Sequence, residues 1–415
     1  MEQLALTMPL VPSAMIWFLF NLFKRPSYNA GLIFSLFFML DVFRSLFIVT
    51  TGGPSSLFIV VFVCGVFFLF IVPELIRYPA VILEMALCKG IVLALSFFVV
   101  MCLSLFFTDD YAYGLDQAMT LLVRGILPGI VIWLGFRLNE KFDFMPIFPL
   151  AMICGASVVF WGERPFQERL SLYGLNPIWT ARILFICATI ALFNLRKRFR
   201  LSMCAFLIAM TAALMTRSRG PLLVFVISLG VDLLLTPFRN HARKYAVSGY
   251  LCGGFFLLGS FALVAVCLVD IPDLLEWVLG RRSMVLFSGT KFLSDVNVLG
   301  RFEFWQASLS AAKSSPWLGL GLGGLSVLGG EFYPHNILVE IFAELGVLGL
   351  SVWFVWALYT LFTSFQQRVL FVVFLQSIGF AMLSGDLGHN YEMFLIAFLI
   401  YGIHHHEKAK SYSGI

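Results

Sequence analysis

The chain predicts an all-α fold: a polytopic integral membrane helix bundle of about 12–13 transmembrane helices with one long exterior loop. Three observations predict it. Hydrophobic residues fill 60% of the 415 positions and charged residues 12%, about half the charge of a soluble globular domain. Mean hydropathy is +0.94, and that much apolar surface is solvated only by lipid. The apolar residues also gather in runs that approach or exceed the roughly 20 residues a helix needs to cross a bilayer. Lipid cannot satisfy backbone N–H and C=O groups, so each run closes its own hydrogen bonds as a helix. The runs are too long for barrel strands.

In order, the runs lie near 8–23, 29–50, 56–73, 90–108, 117–136, 144–161, 177–195, 201–216, 220–237, 246–269, 336–363, 369–385 and 391–403. The stretch 78–89, with Glu84 and Lys89, reads as an interfacial helix leading into the fourth run. All eight cysteines fall inside apolar runs, so neither a disulfide framework nor a Cys metal site is expected. Pro9 and Pro12 stand at the start of the first run and no small-residue cleavage site follows it, so no cleavable signal peptide is expected.

The net charge of +5 comes from short basic clusters between runs and is not a nucleic-acid signal. Lys24-Arg25, Arg77, Arg137 to Lys141, Arg196 to Arg200, Arg239 to Lys244 and Lys408/Lys410 all fit one cytoplasmic face. That places 109–116, 162–176, 217–219, 270–335 and 386–390 on the opposite face. Three parts follow: an N-terminal bundle over 1–269, a loop over 270–335, and C-terminal helices with a short tail over 336–415. The loop carries Trp277, Phe292, Phe302, Phe304 and Trp305. A loop of that length is functional or disordered, and its aromatic content favours packing.

The residues with chemistry cluster on that opposite face. His335-Asn336 stands just before a long apolar run, with Gly346 and Gly349 after nine further residues. Asn336 fits an N-cap. His335 then sits at the positive end of a helix, where the dipole disfavours imidazolium and leaves a ring able to accept a proton. Gly346 and Gly349 read as small residues for close helix packing. Glu340 and Glu344, four apart, share one helix face, and Glu344 reads as an interior partner for an Arg or His.

Arg217 and Arg219, in Thr216-Arg-Ser-Arg-Gly-Pro221, lie where the positive-inside rule disfavours them. Their planar forks suit phosphate oxygens, and the next helix offers its N-terminus to the same anion. Arg301 lies on the same face. Arg169, before Asn176-Pro177, marks a weaker site, with Asn176 as a plain N-cap. Arg124, inside an apolar run, reads as lining a polar cavity. The Gly-rich stretch 319–324 lacks a following Gly-Lys-Ser/Thr and a preceding strand, so it is not a phosphate loop. It reads as tight turns of buried backbone. Asp109-Asp110 is too small a ligand set for a metal. His404 to His406 reads as a solvated tail.

Three elements occur in one order: Ser218-Arg219-Gly220; Gly300-Arg301 with Trp305 and the Pro316-x-x-Gly-x-Gly stretch; and His335-Asn336 through Gly349. Together they resemble the O-antigen ligase and polysaccharide polymerase superfamily over roughly 160–350. The resemblance implies a multi-helix bacterial inner-membrane glycosyltransferase whose long loop and active site face the periplasm. It implies an undecaprenyl-diphosphate-linked glycan as donor, an inverting reaction, and no cofactor or metal. Arg219, Arg301 and His335 match the family's functional positions. The remaining substrate-binding candidates are Arg217, Asn336, Glu344, Arg169 and Arg124. The ligase reading takes lipid A core as acceptor. A repeat-unit polymerase, acting on a growing glycan, and a transporter or flippase for lipid-linked glycans are the alternatives.

Overall fold

The computed structural model describes residues 29–51, 80–138, 142–166, 169–172, 174–239, 296–328 and 334–413, with 63, 65 and 76. The expected runs 8–23 and 246–269, nearly all of 56–73, and the 270–295 part of the loop lie outside the described residues. So do Lys24-Arg25, Arg77, Lys141 and the 240–244 part of the basic clusters.

The described chain is helical almost throughout, as an all-α membrane bundle should be. The first elements are α1 (Asn29–Phe38) and α2 (Leu40–Thr51); the run 29–50 is thus two helices. Then come α3 (Ala80–Leu87), α4 (Lys89–Ser104), α5 (Tyr111–Leu121), a π-helical turn (Leu122–Ile126) and α6 (Leu127–Leu138). α7 (Ile147–Trp161) leads to a short antiparallel hairpin of β1 (Glu163–Phe166) and β2 (Arg169–Ser171). Hydropathy does not anticipate this hairpin, because it sits in a polar connection. α8 (Pro177–Phe193), α9 (Phe199–Met215) and α10 (Arg219–Arg239) follow. The C-terminal half holds α11 (Val296–Ala312), a 3-10 turn (Gly324–Leu328), α12 (Ile337–Ser364), α13 (Arg368–Ala381) and α14 (Glu392–Ser413).

Among the described residues, three helical stretches are long and apolar enough to cross a membrane: Tyr111–Phe136, Arg219–Pro237 and Ile337–Ser364. Five shorter apolar helices accompany them. Two elements form the centre. α8 is buried from Thr180 to Ala191, and α14 from Glu392 to Gly402; apart from Arg182, Glu392 and two threonines these stretches are apolar all round, as core helices are. Small residues let neighbours close in. A Cβ on Gly402 would lie 2.4 Å from the Phe136 ring of α6, and one on Gly129 would lie 2.6 Å from Phe398. His404 to His406 belong to α14, and His405 packs its ring 5.8 Å from Trp133. The expected solvated tail is therefore a helical continuation.

Charge separates the two ends of the bundle. At one end Asp232, buried in α10, receives Arg239 and a bidentate Arg368 at 2.5 and 3.2 Å, while Arg198 meets Asp143 at 2.5 Å. At the other end lie His335 and the 216–219 turn. α9 spans the distance between Arg198 and Arg217, about 25 Å of helix.

Candidate active site

The site begins at the N-terminus of α12. Asn336 caps the helix, its Oδ1 accepting from the Leu338 and Val339 amides at 3.0 and 3.3 Å. This turns the chain so sharply that His335 takes a left-handed φ of 53°. A non-glycine residue is held there at a cost of about 1–3 kcal/mol, a strain that concentrates at functional positions. The Trp305 indole N–H donates to the Pro334 carbonyl at 2.7 Å. That bond ties α11 to the mouth of α12 and brings Arg301, one turn earlier on α11, beside His335. Burial, then Arg301, then Arg182 all disfavour imidazolium, pushing the His335 pKa from 6.5 down to about 4. The ring is neutral at pH 7.

Gly346 does more than permit close packing. Its φ of 63° and ψ of −165° break α12, and the Gly-rich loop fills the break. Leu320 and Gly321 amides donate to the Ala343 and Glu344 carbonyls at 2.9 Å, and Val347 donates to Pro316 at 2.9 Å. A Cβ at Gly346 would sit 2.3 Å from the Trp317 carbonyl carbon. Glu344 is buried, and its partners are the Gly323 and Leu325 amides of this loop. The expected Arg or His partner is not what it meets: the turning loop presents two orphan N–H groups at closer range. On the loop's other side, Leu322 donates to Ser104 at 3.1 Å and the Ser326 hydroxyl to Asp110 at 2.7 Å. Asp110 is the N-cap of α5.

The hub of the site is the connection from α13 to α14. Gly220 at the start of α10 packs on Leu383. The Ser384 carbonyl and the Asn390 amide oxygen accept from Arg182 at 2.5 and 2.9 Å. Gly385 lies against Trp179. The Leu387 amide donates to Glu340 at 2.9 Å, and Gly388 abuts the Gln117 backbone. Gln117 is six residues inside α5, so the loop is recessed by about 9 Å from the tip of that helix. Irregular backbone at such a position is stable only where protein or a water-filled recess covers it.

Arg182 is the clamp. It is fully buried, also binds the Phe380 carbonyl at 2.7 Å and Glu392 at 3.6 Å, and stacks 4.3 Å from the Trp179 ring. Within the loop, His389 Nδ1 lies 2.8 and 3.0 Å from the two Asp386 oxygens. Burial alone would push His389 down; Asp386 outweighs it and raises the ring above its usual value. Burial alone would raise Asp386; the His389 ring and backbone N–H and the Tyr113 hydroxyl hold it below its usual range.

The remaining candidates fall into two places. Arg169 braces the arginine turn, reaching Thr216 O at 3.4 Å and Ser218 Oγ at 3.0 Å. Arg217 adopts φ 52° in that turn, and Arg219 opens α10. Arg124 stands apart, on the π-helical turn, with Asp41 at 3.1 Å. His335, Asn336 and Arg301 are thus brought together, and Arg217, Arg219 and Arg169 form a second group joined to them through Leu383 and Arg182.

Residues 204–354 match the family model described as O-antigen ligase. Over that stretch, a little over a third of its length, the chain is similar to the O-antigen ligase family. No curated protein matches it. That similarity and the apolar helices agree with a membrane protein, and the family is one of glycosyl-transferring enzymes. The matched stretch contains Arg217, Arg219, Arg301, His335, Asn336 and Glu344. It excludes Arg169, Arg124, Arg182 and the Asp386–His389 pair. Arg182 carries the same signal as Arg124, a charge inside an apolar run, and that signal leads to the clamp. Asp386 and His389 carry no spacing that marks them; only the fold shows that they meet.

Proposed function

We propose that this protein transfers a glycan from undecaprenyl diphosphate to a sugar hydroxyl at the periplasmic face of the bacterial inner membrane, with lipid A core as acceptor. The observation that carries the reading is His335: strained, half-buried beside Arg301 and Arg182, and neutral. A neutral imidazole at a helix mouth is the group an acceptor hydroxyl needs as base. The acceptor oxygen attacks the anomeric carbon from the face opposite the diphosphate. The new C–O bond forms as the bond to the phosphate oxygen breaks, and that oxygen leaves with the electron pair. The hydroxyl proton passes to His335. Arg219 and Arg301 receive the growing charge on the departing diphosphate, with Arg217 alongside, because guanidinium forks bind phosphate oxygens in pairs.

The ligase and polymerase chemistries share this donor and differ in the acceptor; the matched family supports this general type of transfer, and the ligase form is the one proposed. A flippase has no use for a neutral base at this mouth. The test is His335→Ala in purified protein given donor and lipid A core. Transfer should fall about 100- to 10,000-fold while membrane insertion and yield hold. Transfer near the wild-type rate removes His335 as base.

A further inference from the structure

One group of ionisable side chains takes no part in the donor chemistry. Asp41, buried on α2, accepts from Arg124 Nη1 at 3.1 Å and from the Tyr391 hydroxyl. Those partners already satisfy the carboxylate. Yet Arg44, one turn along α2, stands 3.7 Å from the same oxygen. Its Nε is buried with no hydrogen-bond partner. Two residues before Tyr391 is His389, whose Nδ1 is occupied by Asp386. Its side chain is 42% exposed, although 384–388 and 390 in the same loop are buried. Tyr391, two residues on from His389, donates to Asp41 and carries Arg124 5.5 Å over its ring, so Arg44, Arg124 and the His389 ring stand around Asp41. Arg124 and Arg44 keep 13% and 25% of their side chains open.

We propose that Arg44, Arg124 and His389 form a second anion-binding site, which takes a phosphate or carboxylate carried by the acceptor glycolipid. The proposal rests on the reading above that the donor diphosphate belongs to Arg219 and Arg301. A charge inside an apolar bundle is costly, and a surplus cation beside a carboxylate already paired adds to that cost. A polyoxygen anion relieves it, giving separate acceptors to the Arg44 Nε–H, to Arg124 and to the open edge of the His389 ring. The π-helical turn that carries Arg124 is a deformation common at functional sites. Of the other carboxylates nearby, Glu392 pairs with Arg182, Asp386 holds the His389 ring, and Asp116, which acts on Arg124, is exposed midway along α5. Trp179, 5.8 Å from the His389 ring, adds an aromatic wall suited to a sugar face. The position fits two substrates. Leu387 turns towards Glu340 of α12, and His389 towards α2 and the π turn. Two lipid-borne anions can therefore sit on either side of one loop.

The experiment uses the full chain in nanodiscs of zwitterionic lipid, with tryptophan fluorescence reporting binding. The probes are lipid A core, the same material after phosphatase treatment, undecaprenyl diphosphate and phosphatidylglycerol. Arg44→Gln and His389→Gln should each weaken binding of the phosphorylated acceptor about tenfold, the loss of one charge-assisted hydrogen bond. Binding of the dephosphorylated acceptor and of undecaprenyl diphosphate should move less than about twofold. Equal weakening for both acceptors, or no weakening, overturns the site. Weakening of undecaprenyl diphosphate binding instead assigns the cluster to the donor. Competition by phosphatidylglycerol with no effect of acceptor dephosphorylation reduces it to an ordinary phospholipid contact. Arg44-dependent binding in a wild-type protein that transfers no glycan would keep this site and overturn the proposed reaction.

Discussion

The acid limb of the transfer rate is the sharpest probe of His335. The neutral ring is the active form, and its pKa is lowered from 6.5 to about 4. Activity should therefore persist as pH falls through 6.5 and be lost only as it falls through about 4. At pH 5 a ring of pKa 4 is about nine-tenths neutral, and one of pKa 6.5 about 3% neutral, so the two cases differ by roughly 30-fold in kcat/KM. Arg301→Gln tests the cause. Burial, Arg301 and Arg182 all push the same way, with burial largest and Arg301 second. Arg301 therefore supplies only part of the lowering. Removing its charge favours imidazolium and should move the limb upward from about 4, short of 6.5, because burial and Arg182 remain. The variant also turns over more slowly, but the limb is read from its midpoint and not its height. The assay is initial-rate transfer in detergent between pH 3.5 and 8, with folding checked at each pH. A wild-type limb at 6.5, or a limb that stays put or falls in Arg301→Gln, would refute the electrostatic account of the base.

Further predictions concern the leaving group, the helix break and the orientation. Lys in place of Arg219 or Arg301 should restore only part of the donor binding lost in the Ala variants, since a point charge cannot make two parallel contacts; full rescue in a donor titration would make both arginines simple charges. Gly346→Ala should destabilise the protein by at least about 3 kcal/mol, because its backbone conformation is open only to glycine and its Cβ would strike the Trp317 carbonyl. Gly230→Ala, with nothing within 4 Å, should stabilise α10 by about 0.5–1 kcal/mol; thermal unfolding that ranks the two equally would contradict the docking of loop and break. Cysteines at 282 and 331, in a background without the native eight, should react with an impermeant thiol reagent from outside, and one at 198 only after the membrane is opened. Outside labelling of 198 would reverse the orientation.

Much of this was legible without coordinates, because lipid allows so few choices. A backbone that must satisfy itself becomes helical wherever apolar runs occur, and α4, α7 to α10, α12 and α13 follow the hydropathy closely, while α5 begins earlier and α14 ends later than their runs. Caps are equally local: Asn176 and Asn336 bind amides two or three residues ahead, so their roles follow from neighbouring sequence. His335, Arg219 and Arg301 stood out because charge is scarce and each occupied an unfavourable place.

Partnership was decided only by the tertiary structure. Glu344 meets the amides of residues 323 and 325, Arg182 holds carbonyls about 200 residues away, and Gly346 breaks its helix because another loop replaces the lost hydrogen bonds. Hydropathy and capping depend on solvent and adjacent backbone, which sequence specifies directly. Which charge meets which depends on how far each helix end reaches and what other ends arrive there. That is a property of packing, and it is why the Asp386–His389 pair and the recess shared with Arg44 and Arg124 emerge only when all the helices are in place.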